Sequence, residues 1–151
     1  MECEVRVASE DDAVDISRVI IAALRETNAR DYPESVIERV EQSFGPDAVR
    51  EFIGKRRAFV AVTMGRIVGT ASLDGGWVRT VFVEPSVQGK GVGRLLMDRV
   101  ERAAREAGLQ TVNVPSSVTA EPFYAQLGFK AVRDSYHGEE RTIIMERSLV
   151  S

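Results

Sequence analysis

Three glycines stand at alternate positions in Val83-Glu84-Pro85-Ser86-Val87-Gln88-Gly89-Lys90-Gly91-Val92-Gly93-Arg94, between a β-branched run and an amphipathic pattern. Glycines ahead of a helix permit positive φ and place no Cβ in front of a ligand, so the amides of Gly89, Gly91, Val92 and Gly93 can converge on one concavity. Such a nest prefers an anion. The helix N-terminus adds roughly half a positive charge, and Lys90 and Arg94 supply side-chain cations, a set that suits a phosphate or pyrophosphate. The competing reading is a tight strand-to-helix turn with no ligand. Two familiar phosphate motifs are excluded. Gly91, not Ser or Thr, follows Gly89-Lys90, against a P-loop. A dinucleotide fingerprint needs glycine where Arg94 or Leu96 stands.

Other chemistries are limited by residue supply. Cys3 is the only cysteine and His137 the only histidine, which rules out an intramolecular disulfide and a Cys-rich metal site, so no metal is expected. A Ser-His-Asp or Cys-His arrangement would have to run through His137 on a Gly-containing turn. The 20 basic and 23 acidic residues give a net charge of -3 and are interspersed, so no global basic field is present to hold nucleic acid.

The elements that must position the glycine turn follow from periodicity. Glu4 to Val7 alternates as a strand, and Ser9 with Asp12 resembles a helix N-cap. Val14, Ile16, Val19, Ile20, Ala23 and Leu24 recur at helical spacing, and Ser35 to Phe44 and Asp47 to Lys55 read as two further helices. FVAVT, IVGTASL and WVRTVFV then form a meander punctuated by Gly65 and by Gly75-Gly76. After the turn, Val92, Leu95, Leu96, Val100, Ala103, Ala104 and Ala107 make an apolar stripe that stops at Gly108. Thr111 to Val114 is a strand, Thr119 to Leu127 a short helix, and Phe129 to Val132 and Arg141 to Leu149 the last two strands. A strand, a helix and another strand imply parallel pairing by a right-handed crossover, whereas the meander and the last pair are expected antiparallel.

With 151 residues, 44% of them hydrophobic and 28% charged, the chain reads as one globular domain over 1–151. The N-terminus has neither a basic n-region nor an apolar h-region, and no segment approaches ~18 consecutive apolar residues, so a cytoplasmic protein without membrane contact is expected.

The pattern Gln88-x-x-Gly91-x-Gly93, after a strand and before an amphipathic helix, resembles motif A of the GNAT superfamily of acyl-CoA N-acyltransferases. Downstream, Pro122-Phe123-Tyr124-Ala125-Gln126-Leu127-Gly128-Phe129 looks like the FYxxLGF segment of the same family, and the order of elements agrees over nearly the whole chain. The resemblance implies an α/β (α+β) domain with a mixed, mostly antiparallel sheet of six to seven strands, helices on both faces, and a splay between the fourth and fifth strands. It implies acetyl-CoA as cosubstrate. Gln88, Gly89, Lys90, Gly91, Val92, Gly93 and Arg94 would hold the pyrophosphate, and Val81, Phe82 and Val83 would offer backbone groups to the pantetheine. Thr119, with Ser116 and Ser117, stands where many members carry an asparagine that contacts the cofactor.

Acyl transfer to an amine requires a neutral nucleophile, a stabilised oxyanion and a proton for the leaving thiolate. By resemblance Tyr124 is the candidate acid. Phe123 and Tyr124 point about 100° apart on a helix, which lets Phe123 pack beside Leu127 while Tyr124 faces the cofactor slot. Thr119 is read as the N-cap of that helix, its oxygen accepting from the Glu121 amide because Pro122 at N3 has no donor. Glu84 and Asp74 are the carboxylates nearest the slot in sequence, both read as solvated loop residues, so a water path is expected to take the amine proton. An acceptor pocket is expected among Arg30, Asp31, Tyr32, Tyr136, His137, Glu139 and Glu140, and the acidic balance tilts it toward cationic amines. The expected partner is a small-molecule or peptide amine, and a homodimer could use the edge of the Arg141 to Leu149 strand. No cysteine lies near either motif to carry an acyl group, so a sequential transfer is expected. The rival is a non-catalytic acyl-CoA sensor.

Overall fold

The structure is a computed structural model in which residues 2–150 are described. The chain runs β1 (Glu4–Val7), α1 (Ala13–Glu26), α2 (Glu34–Gln42), α3 (Pro46–Lys55), β2 (Arg57–Thr63), β3 (Arg66–Asp74), β4 (Trp77–Val83), α4 (Val92–Glu106), β5 (Thr111–Ser117), α5 (Glu121–Gln126), β6 (Lys130–His137) and β7 (Glu140–Ser148). The seven strands form one sheet in the order β1-β2-β3-β4-β5-β7-β6, antiparallel throughout except where β4 meets β5. This is the mixed, splayed sheet that the sequence implies.

Both faces of the central strands are covered, which is why β2 and β3 read as near-continuous apolar runs. Ala58 and Val60 turn to one face, onto Ile16, Val19 and Ile20 of α1 and Val49 and Phe52 of α3. Phe59 and Ala61 turn to the other, onto Val92, Leu96, Val100 and Ala104 of α4. The alternation is the two-residue period of a strand sandwiched between helices.

Gly69 sets how close α4 can come. A Cβ there would lie 2.9 Å from Leu96 Cδ1 and 3.1 Å from Val92 Cγ1, so only glycine lets the first turn of α4 rest on β3. The glycine turn before α4 is thereby fixed against the sheet. Leu95, grouped with the buried stripe by spacing, is instead 42% exposed on its flank.

The β4–β5 junction is the exception to regular pairing. Only Trp77 and Asn113 are in register, with one amide bond from Asn113 to Gly76 O at 3.0 Å. Beyond that point the two strands separate. On its other side β4 stays paired with β3 through Phe82 and Val83, but with a register shift between Thr70 and Ser72. Two residues of β4, Thr80 and Val81, there oppose Ala71 alone, a bulge that bends β4 away from β5. Thr80 has φ +56, a left-handed conformation rarely adopted by a β-branched residue.

Strand β7 lies between β5 and β6, so the free edge of the sheet at this end belongs to β6 and not to the Arg141 to Leu149 segment. Strands β5 and β6 both run past their expected ends, to Ser117 and His137, because β7 offers a continuous ladder to each. No helix among the described residues is long and apolar enough to cross a membrane.

Candidate active site

The turn leading into α4 has the conformation that its glycines permit. Gly89 and Gly91 have φ +78 and +86, and Gly91 is the N-cap of α4 with no side chain capping the helix. Among the described residues, none of the amides from Gly89 to Arg94 finds a protein acceptor. No atom lies within 4 Å of where a Cβ would stand at Gly89 or Gly91. An open row of unpaired donors at a helix start is an anion cradle, and the glycine turn therefore fits a phosphate group. Gln88 fastens the cradle from behind, donating from Nε2 to Val83 O at 3.1 Å and to Thr27 Oγ1 at 3.2 Å. Glu84 fastens it from below. Burial by itself would raise this carboxyl, but hydrogen bonds from Arg66, from Ser86 (2.9 Å) and from Arg18 (2.8 Å) outweigh it and hold the group below the ordinary glutamate value.

Glu84 is thus a buried anchor, 7% exposed, and not the solvated residue expected from its loop position. Its carboxylate is absent from the wall of the cavity between β4 and β5 and is held by Arg18 and Arg66, which removes it as a base. Asp74 pairs with Arg79 at 3.3 Å at the opposite end of β4.

A cavity of about 800 Å³ runs from the cradle along the gap between β4 and β5 and opens beneath α1 and α2. Its size is within the range of small-molecule sites. Val81, Phe82, Val83, Gln88, Gly89, Gly91, Val92, Gly93, Arg94, Thr119 and Tyr124 all line it. Of the residues assigned from sequence to the cofactor and the acid, Lys90 alone is not on its wall, and its side chain is exposed. The free edge of β4 offers backbone groups along the gap, as an extended ligand paired like a strand would require.

Tyr124 is 4% exposed, with its ring edge-on between Phe123 (5.2 Å) and Phe129 (5.4 Å). Its hydroxyl makes no hydrogen bond to any described residue, and burial pushes its pKa well above the ordinary tyrosine value. The proton therefore stays on the oxygen at neutral pH. The division of labour expected for the pair is altered: Tyr124 enters the core beside Leu127, and Phe123 lies partly buried against Gly93, where an added Cβ would meet its ring at 3.1 Å. Both nonetheless reach the cavity.

Thr119 does not cap α5. Ala120 occupies the N-cap, which makes Pro122 the second helical residue, and the Ala120 amide donates to Ser117 Oγ at 3.1 Å. The Thr119 hydroxyl donates instead to Asp31 Oδ2 at 2.7 Å, tying the end of β5 to the loop after α1. Tyr32 ties the same two regions to β7. Its hydroxyl accepts from the Val118 amide (2.7 Å) and donates to Arg141 O (2.9 Å). A residue read from sequence as an acceptor contact is thus a structural pin that also faces the cavity.

The acceptor end differs in character from expectation. Of the seven residues proposed for it, only Tyr32 and Glu140 line the cavity, and Glu140 is paired with Arg39 at 2.8 Å. Arg30, Asp31, Tyr136, His137 and Glu139 lie off its wall. The walls carry apolar side chains of α1, α2 and β4, interrupted by Asn28, Arg56, Arg79, Thr80 and Thr142 among others. Sequence reasoning passed over Arg56 and Thr80. A cation between an amphipathic helix and an apolar strand reads as a helix end, and nothing in a β-branched run signals positive φ.

The fold agrees with what comparison with known proteins shows. Residues 28–145 match the family described as the acetyltransferase (GNAT) domain, so the chain belongs to that family. Among curated relatives, the glucosamine 6-phosphate N-acetyltransferase of Trypanosoma brucei brucei is 35% identical over 86 residues, which cover 50% of this chain and 58% of that one. The chain spans about half the length of the curated relatives that it matches first. Among solved structures, a GCN5-related N-acetyltransferase from Rhodopseudomonas palustris superposes with a TM-score of 0.93 at 24% identity, covering 99% of this chain and 97% of the other. A PaiA N-acetyltransferase from Thermoplasma acidophilum, solved in complex with coenzyme A, gives 0.83 at 19% identity over 98% and 99% of the two chains.

Proposed function

We propose that this chain transfers an acetyl group from acetyl-CoA directly to an amine, with Tyr124 holding the proton destined for the leaving sulfur. The carrying observation is that three requirements share one cavity: the unpaired amides before α4, the free edge of β4, and the unpartnered hydroxyl of Tyr124. The PaiA structure was solved in complex with coenzyme A, and the same fold here offers a cradle suited to an anion.

Residue chemistry narrows the steps. A thiol with a pKa of about 8.5 is a weaker base, as thiolate, than a tyrosinate of pKa about 10, and burial widens that gap for Tyr124. Full proton transfer to a free thiolate is therefore uphill. Tyr124 acts best as a hydrogen-bond donor whose proton moves while the carbon–sulfur bond breaks. Among the described residues, Glu140 is the only carboxylate on the wall, and Arg39 already neutralises it. The amine consequently loses its proton to water in the open part of the cavity, and no side chain takes it. Cys3 is on β1's side of the sheet and absent from the cavity wall, which favours direct transfer over an acyl-enzyme.

The test is thiol release from acetyl-CoA by the purified protein across peptides, polyamines, amino acids and aminoglycosides, with Tyr124→Phe in parallel. Amine-stimulated release that falls in the variant, with acetyl-CoA affinity unchanged, supports the reading. Coenzyme binding without release by any amine turns the reading to that of an acyl-CoA sensor.

A further inference from the structure

Arg56 stands on the cavity wall without an ion-pair partner, with Asp74 attracting it only from beyond ion-pair distance and Arg79 opposing it. Its Nη1 donates to Thr80 Oγ1 at 2.9 Å and to Ser72 Oγ at 3.3 Å, both neutral hydroxyls, and its guanidinium lies 4.5 Å over the Phe52 ring. Among the described residues, no carboxylate comes within ion-pair distance of it. Its neighbour Arg79 has Asp74 at 3.3 Å. Arg56 is half-buried, and burial lowers its pKa from the ordinary arginine value. An arginine cannot shed its proton to relieve that condition. A desolvated cation held rigidly by two hydroxyls and a ring, with donors left over, is arranged for an anion that arrives from outside.

Its position says which part of a ligand that anion belongs to. The Thr80 hydroxyl that anchors Arg56 belongs to the bulge where β4 leaves β5, so the guanidinium flanks the gap and is remote in sequence and structure from the cradle at Gly89 to Arg94. Apolar Leu24, Val36, Ile37, Val40, Phe44 and Phe82 share the wall with Arg56 and Arg79, with Phe44 edge-on to Phe82 at 6.0 Å. Hydroxyl-rich or polycationic amines would strand polar groups on these walls and bring positive charge beside Arg56 and Arg79. An apolar body with one anionic group meets neither obstacle.

We propose that the acceptor is an amine carrying a carboxylate on an apolar body, in the manner of a hydrophobic amino acid, and that Arg56 takes the carboxylate while the α1–α2 wall takes the apolar part. This rests on the transferase reading above and reverses the tilt toward cationic acceptors drawn from net charge. A guanidinium fork binds a carboxylate through two parallel hydrogen bonds, which fixes the orientation of the attached amine as well as adding affinity.

The experiment compares L-phenylalanine and L-leucine with their carboxamides and with phenethylamine and isoamylamine, in thiol release by wild type, Arg56→Gln and Arg56→Lys. In wild type, kcat/KM for the acids should exceed that for the amides by about 10- to 100-fold, the range of a charge-assisted hydrogen bond. Arg56→Gln should abolish that preference without changing acetyl-CoA affinity, and Arg56→Lys should restore part of it. Equal or better use of the amides and simple amines by wild type overturns the proposal, and this comparison needs no variant to fold. Strong preference for a phosphorylated amine over both amino acids also overturns it. If no amine releases thiol, the transferase reading falls, and calorimetric titration of the coenzyme A-loaded protein with L-phenylalanine still decides the subsite. Binding lost in Arg56→Gln upholds it, and no binding by wild type removes it.

Discussion

The two ends of the cavity are built by different means. The cradle end is made chiefly of backbone: consecutive residues from Gly89 to Arg94, two of them glycines at positive φ, offer amides, with Arg94 the one charged side chain of the segment on the wall. The acceptor end is made of side chains from α1, α2, the α3–β2 junction, β4 and β7, brought together only by the fold. Recognition by backbone tolerates change in every residue except those that set φ, whereas recognition by side chains changes with single substitutions. A common cosubstrate can thus be kept on one side while acceptors vary on the other.

The contrast can be broken at either end. Tyr124→Phe should have the largest effect, lowering kcat by about 10²- to 10⁴-fold with little change in acetyl-CoA affinity, because it removes only the hydroxyl that carries the proton. Unchanged turnover would take Tyr124 out of the chemistry. At the cradle, Gly91→Val forces a β-branched residue to φ +86, where the local strain is about 1–3 kcal/mol, and fills open space in front of the amides. Acetyl-CoA affinity should fall at least about 10-fold by calorimetry while the far-ultraviolet circular dichroism is kept.

The supports beneath each end should give smaller effects, read as stability. Glu84→Gln should destabilise by about 2 kcal/mol at pH 7 in denaturant unfolding, since Arg18 and Arg66 lose a partly buried partner. Glu84 has a depressed value in the folded state, so its contribution is complete above the ordinary glutamate value of about 4.3 and drains away as pH falls through the depressed one. The difference between wild type and variant should therefore shrink in acid. A difference independent of pH would mean that the carboxylate charge is not what holds β4 to α1. Tyr32→Phe removes one acceptor and one donor and should cost about 1 kcal/mol, or roughly 2–4 °C in Tm.

How far each end was legible follows the same division. The cradle could be read from sequence because its determinants are contiguous and glycine has few reasons to recur at alternate positions. The helices and strands were legible from periodicity, and their ends were not, since β5 and β6 are extended by pairing with β7. The acceptor end was misread because polarity was taken as the mark of a binding loop. Tyr32 and Asp31 are polar and well placed, yet they are spent on Val118, Arg141 and Thr119. Arg56 gave no signal of its own, as its lack of an ion-pair partner is a property of three-dimensional surroundings. Thr119 failed as a cap because β5 runs on to Ser117 and α5 begins only at Glu121, which leaves Ala120 at the N-cap with its amide held by Ser117 Oγ.

The single register pair between β4 and β5 makes the sheet two plates joined at one corner, with β1–β4 on one side and β5–β7 on the other. Few hydrogen bonds oppose a swing of one plate about Trp77 and Asn113, and the Tyr32 pin stands among the ties that limit it from the open end. A ligand lying along the gap acts as the missing crosslink. Its binding should therefore slow amide exchange on the facing edges of both plates, well beyond the residues that it touches, so that the cosubstrate stiffens the walls against which the acceptor is then selected.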